Sequence, residues 1–180
     1  MKICGCDCSI IDIAEDFNEA YIRCMEGKNN RSEGNTTVGD IVSVPAIVNG
    51  VFAIELYLKS MIDPQKLGER KIHKIQELFS LLDDETKTKL ETKIKGELPK
   101  LLKLTDSNTQ NQDESERNKY YSFEECLEGI SEVFVFWRYI HEKEDLGFGF
   151  QNTIIILPIF LKNIRKVALD EQKVLKNQKS

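Results

Sequence analysis

The chain has 180 residues, of which 41% are apolar and 31% charged, with a formal net charge of −5. That length suits one domain with an ordinary core, and the composition suits a charge-rich helical protein. A generally basic surface for gripping nucleic acid is excluded, so any such surface must be a local patch.

Five cysteines are an odd number, and three of them, Cys4, Cys6 and Cys8, stand in CGCDC. Asp7 and Asp12 interrupt any apolar core of a secretory leader. The cysteines therefore read as reduced thiols of a cytoplasmic protein. Alternate residues of an extended segment point the same way, so CxCxC also suits a soft metal. No His or distant Cys pair completes a ligand spacing, and the expectation is no metal and no cofactor.

Helical periodicity runs almost throughout, which predicts an all-α fold. Ile10, Ile13, Phe17, Tyr21 and Cys24 repeat at helical spacing behind Ser9 as N-cap, giving a first helix that ends near Gly27. Residues 28–44 are polar and Gly/Asn-rich and read as a mobile loop. From Pro45 to Pro64 one stripe is Val48, Val51, Phe52, Leu56 and Met61 or Ile62, and a second is Ile47, Ile54 and Leu58. Apolar residues on more than one side predict a central helix with little exposed face. Asn49 and Glu55 lie inside it, and a buried carboxylate there needs a partner.

A short helix is predicted over His73–Leu82 and another from Asp83 or Asp84, with Leu90 and Ile94 on one face. Residues 105–121 carry almost no apolar side chain and form a second long loop. Ser122 and Glu125 then make a capping box ahead of a stripe of Leu127, Ile130, Phe134 and Trp137. Its pattern fades over Glu142–Glu144, with Gly147 and Gly149 as the stop. The last helix is expected from about Thr153 to Gln172, with Pro158 in its first turn or kinking it, and with Lys162, Arg165 and Lys166 on its outer face. The apolar run at Thr153–Leu161 falls short of the roughly 18 residues of a membrane span. The whole reads as a single domain over 1–180, an up-and-down bundle of five to six helices.

Few residues carry chemistry. His73 and His141 are the only histidines. Arg138 and His141 lie three apart on a helix and can act on one ligand. An imidazole moves the proton of a 2′-hydroxyl while a guanidinium steadies charge on phosphate, as a metal-independent ribonuclease requires. The plain alternative is a helix end that favours positive charge. Arg138 can equally pair with the buried Glu55. His73 is either a polar helix start or part of a ligand site, and Glu142 joins Glu55 and His73 as a candidate binding residue.

Three segments together resemble the HEPN superfamily (higher eukaryotes and prokaryotes nucleotide-binding): VNGVFAIELYLKSMI, HKIQELFSLL and FWRYIHE. The resemblance is to a bacterial branch with a VN-x-x-FA-x-E-x-x-LK helix, an H-x-L-x-x-LF helix and a later WRY helix. It covers about half of the chain directly. It implies a helical bundle that commonly dimerises, and in many members a ribonuclease in toxin–antitoxin, abortive-infection or other defence systems. The family's signature is an Arg followed, after four to six residues, by a His at the dimer interface. Here Arg138-Tyr-Ile-His141 has two residues between, as does Arg70-Lys-Ile-His73, and Arg117-Asn118 is followed by no His at the right distance. The resemblance therefore implies a homodimeric binding or regulatory protein, with RNA or a nucleotide and an antitoxin-type protein as candidate partners. The alternatives are a ribonuclease using Arg138 and His141, and a non-catalytic interaction scaffold.

Overall fold

The computed structural model describes residues 9–29, 44–68, 71–105, 122–138 and 148–178. Among these the structure is all-α, with seven helices: α1 (Ile10–Asn29), α2 (Val44–Met61), α3 (Pro64–Leu67), α4 (Ile75–Leu81), α5 (Asp84–Thr105), α6 (Phe123–Arg138) and α7 (Phe148–Gln178). The two long polar stretches expected at 28–44 and 105–121 fall largely outside the described residues, as do Cys4, Cys6 and Cys8.

Helix starts follow local chemistry closely. Ser9 caps α1 reciprocally with Asp12: the Ser9 amide and hydroxyl both donate to the Asp12 carboxylate at 2.8 Å, and the Asp12 amide returns a bond to the hydroxyl at 3.3 Å. Asp83, of the two candidates, caps α5, accepting the Thr86 amide at 2.9 Å and its hydroxyl at 2.8 Å. The Ser122–Glu125 box opens α6 as expected, the Glu125 amide donating to the Ser122 hydroxyl at 3.2 Å.

Several helix boundaries depart from the sequence expectation. α1 runs on to Asn29, past Gly27. α7 starts at Phe148 and ends at Gln178, so Gly149 lies inside a helix rather than stopping one, and Pro158 is well inside α7. Pro99 is likewise inside α5. Both prolines sit at exposed positions, and each helix carries on around the missing amide bond because packing on its inner face holds it. The stretch after α2 does not simply stop at Pro64. Asp63 accepts the Gln65 amide at 2.8 Å, Pro64 fills the first helical position, and one turn forms as α3. Gly68 ends it at φ 54°, a backbone region costly for residues with a side-chain Cβ, and so redirects the chain.

α2 is the centre of the bundle, packing on α1, α4, α6 and α7, while α7 also packs on α5 and α6. From Ala46 to Ile62 no side chain is exposed, as the two apolar stripes predict. Ile47, Ile54, Tyr57 and Leu58 of α2 join Leu78, Leu90, Ile94, Ile130 and Phe160 in one continuous core. Stacked and tilted rings tie three helices together: Phe79 of α4, Phe123 of α6 and Phe160 of α7 have neighbouring centroids 5.2 and 5.6 Å apart. Leu127 and Ile130 of the predicted α6 stripe are buried; the Phe134 and Trp137 side chains lie outside the described residues. Gly50 lies where three helices meet tightly, since a Cβ there would lie 3.1 Å from Tyr21 of α1 and 3.2 Å from Leu157 of α7. No helix of the described residues is long and apolar enough to cross a membrane.

Candidate functional site

Glu55 occupies the inner part of α2, where its carboxylate side chain is only 7% exposed. An ionised carboxylate so placed must be compensated. Two groups do this on one oxygen. Lys59, a helical turn further on, brings its ammonium to 2.7 Å of Oε1, and the Nδ1 of His73 lies 3.0 Å from the same atom. The first partner follows from helical spacing. The second comes from the non-helical residues just ahead of α4.

His73 precedes α4 rather than opening it: the backbone from 71 to 74 is non-helical, and Lys74 is in an extended conformation. Ile72 is buried at 5% and anchors this segment, while Lys71 and His73 on either side of it are exposed. Helix α4 is then docked on α6 by the Ser131 hydroxyl, which accepts the Gln76 amide at 2.8 Å and donates to the Leu127 carbonyl at 3.0 Å. An ionised carboxylate only accepts hydrogen bonds, so Nδ1 of His73 carries the proton. That leaves Nε2, on a side chain 59% exposed, for solvent or a ligand. A carboxylate that orients an imidazole in this way can set up a proton donor or acceptor, or simply fix the segment.

The structure therefore brings together two of the five sequence-predicted site residues, Glu55 and His73, and adds Lys59. Arg138 is the last described residue of α6, and its side chain lies outside the described residues, as do His141, Glu142 and Arg70. The partners of Glu55 among the described residues are Lys59 and His73.

A second polar cluster was not visible in the sequence. Arg165 of α7, expected on an outer face, turns to α1: its Nε and Nη2 donate to the two oxygens of Glu15 at 2.8 and 2.6 Å. The buried Tyr57 hydroxyl donates to Glu15 Oε1 at 2.5 Å. The Arg165 hydrogen bonds hold the Glu15 carboxyl below its usual range, and burial, aided by Glu15, pushes the Tyr57 phenol well up. Neighbouring Lys162 reaches Glu97 of α5 at 3.1 Å, and Lys166 is exposed. Third, a carboxyl oxygen of Glu171 of α7 lies 3.0 Å from the Thr86 hydroxyl, and burial raises the Glu171 carboxyl above its usual range. Each of these pairs joins residues far apart in sequence, and no local spacing announces them.

Cys126 is buried, and burial pushes its thiol up to about 12, far from a reactive thiolate. No three His, Cys, Asp or Glu side chains of the described residues are grouped to hold a metal ion. Comparison with protein-family models, curated proteins and solved structures finds no match.

Proposed function

We propose that this chain is a HEPN-like helical protein that acts by binding or regulation and not by catalysis. The observation that supports this reading is the shared Glu55 carboxylate. Glu55 and Lys59 belong to one segment of the HEPN resemblance and His73 to another, and the three are engaged with one another. These polar residues hold α2 to the chain entering α4, and that role accounts for their presence without a reaction. The Arg138–His141 spacing, shorter than the family's signature, points the same way. With this reading go a homodimer and a place in bacterial defence, toxin–antitoxin or stress response, as the resemblance implies, and the cytoplasmic setting expected from the reduced cysteines.

Incubating labelled RNA with the purified protein in EDTA, beside a His141→Ala variant, tests the reading. The expected result is intact RNA with both. Cleavage by the wild type that His141→Ala abolishes would overturn it in favour of a metal-independent ribonuclease built on Arg138 and His141.

A further inference from the structure

One hydroxyl group stands between two carboxyl groups where α5 meets α7. Thr86 is buried at 4%, and its Oγ1 lies 2.8 Å from Oδ2 of Asp83 and 3.0 Å from Oε1 of Glu171. A hydroxyl has one proton to donate and two lone pairs with which to accept. Asp83 is the group that takes the proton. Its other oxygen already accepts the Thr86 amide at 2.9 Å, as N-cap of α5, and that bond above all holds its carboxyl below the usual range. An ionised Glu171 would then set acceptor against acceptor across 3.0 Å. A protonated Glu171 instead supplies the missing hydrogen and donates to Thr86 Oγ1. Beyond this contact α7 has little to hold it: from Glu171 to Asn177 no residue is buried, and Val174 and Leu175 are 54% and 55% exposed. Helix ends of this kind open most readily.

We propose that this contact is a proton-dependent latch: protonated Glu171 donates to Thr86 and fastens the end of α7 to the start of α5, and loss of the proton releases it. The groups around Glu171 set the sign. Burial raises its carboxyl above 4.5; from α5, Asp83 and Glu85 favour the protonated form and Lys89 opposes it. On α7 itself Asp170 and Lys173 pair at 3.9 Å. From α1, Asp12 acts with Lys176, further along α7. The two charges of α2, Glu55 and Lys59, face each other. α6 meets α7 at Phe123 and Phe160, well before Glu171. The latch is therefore closed below 4.5 and opens as pH rises through the raised folded value. The second tie between the two helices, Lys162 to Glu97 at 3.1 Å, joins groups that are both ionised over that range and stays closed.

The test uses the full chain with its glutamate carboxyl carbons labelled with carbon-13. The Glu171 signal is identified by its absence in Glu171→Gln, and each signal is followed by NMR as pH is raised. Thr86→Val removes the hydroxyl and Thr86→Ser keeps it; circular dichroism checks that the variants fold. If Glu171 donates to Thr86, the valine variant deprives the protonated form of its acceptor, so Glu171 should lose its proton at lower pH than in the wild type, and the serine variant should match the wild type. If Thr86 donates to Glu171 instead, the valine variant moves the titration upward. Opening is read in the wild type by amide hydrogen exchange corrected for intrinsic rates. Protection from Glu171 to Leu175 should fall severalfold between mildly acidic and neutral pH, while Phe160–Ile164 stay unchanged. Glu171→Gln, whose amide can donate at any pH, should keep its protection throughout. An upward or absent shift in Thr86→Val, wild-type protection equal at both pH values, or an equal loss of protection in Glu171→Gln would each overturn the proposal.

Discussion

Glu55 lies where water is scarce, 2.7 Å from the Lys59 ammonium and 3.0 Å from the His73 imidazole. That a carboxylate at this position needs a partner is legible from the apolar residues around it. The Lys59 contact is legible too, since the two are a helical turn apart. His73 was legible only as a polar residue ahead of an apolar run. Its contact with Glu55 joins positions 18 apart in sequence, which no helical periodicity reports. Tyr57 makes the same point more sharply. Its ring is part of a predicted core helix, but its hydroxyl finds Glu15, which is 42 positions away. Replacing Tyr57 by Phe keeps the ring and removes the donor. Urea unfolding should show a loss of about 1.5–3 kcal/mol, the range for one hydrogen bond to a charged acceptor.

At the scale of elements, the side-chain caps were readable and several helix boundaries were not. Ser9, Asp83 and Ser122 each act on the amides beside them, so the signal is local. Pro158 and Gly149 are ordinarily punctuation, yet both lie within α7. The inner face of that helix buries Ile156, Leu157, Phe160, Leu161 and Ile164, and burial of that many side chains outweighs a lost amide bond and a flexible residue. Gly50 is the converse case: an unremarkable glycine in sequence that lets α1 and α7 close on α2. In Gly50→Leu the new side chain must part Tyr21 from Leu157. Overpacking of this kind costs about 1–3 kcal/mol, against roughly 0.5–1 kcal/mol gained by removing a glycine from a helix interior. A lower urea midpoint is expected.

At the scale of the whole molecule, stability should depend on pH with two opposite contributions. The Arg165 hydrogen bonds depress the Glu15 carboxyl below 4.5, and the Thr86 amide depresses Asp83 below 3.8. Each contribution is present above those values and is lost as pH falls through the depressed folded values. Burial raises Glu171 above 4.5, so its contribution is present below that value and lost as pH rises through the folded one. Glu171→Gln removes this opposing contribution while keeping a polar side chain of the same size beside Thr86. Urea midpoints at acidic and neutral pH should therefore show the variant more favourable, relative to wild type, at neutral pH. The all-α class and the central place of α2 came from patterns within single segments. The joins between α1, α2, α5 and α7 came from pairs distant in sequence, which only the fold brings together.

The functional reading depends on Glu55 and His73 holding each other in solution, and a double-mutant cycle measures this directly. Glu55→Gln, His73→Gln and the double variant are unfolded in urea beside the wild type. The account predicts that the two single losses overlap, with a coupling of about 0.5 kcal/mol or more. Additivity within about 0.3 kcal/mol would contradict it, because His73 would then be free of Glu55 and its role as a fastening of the fold would be lost.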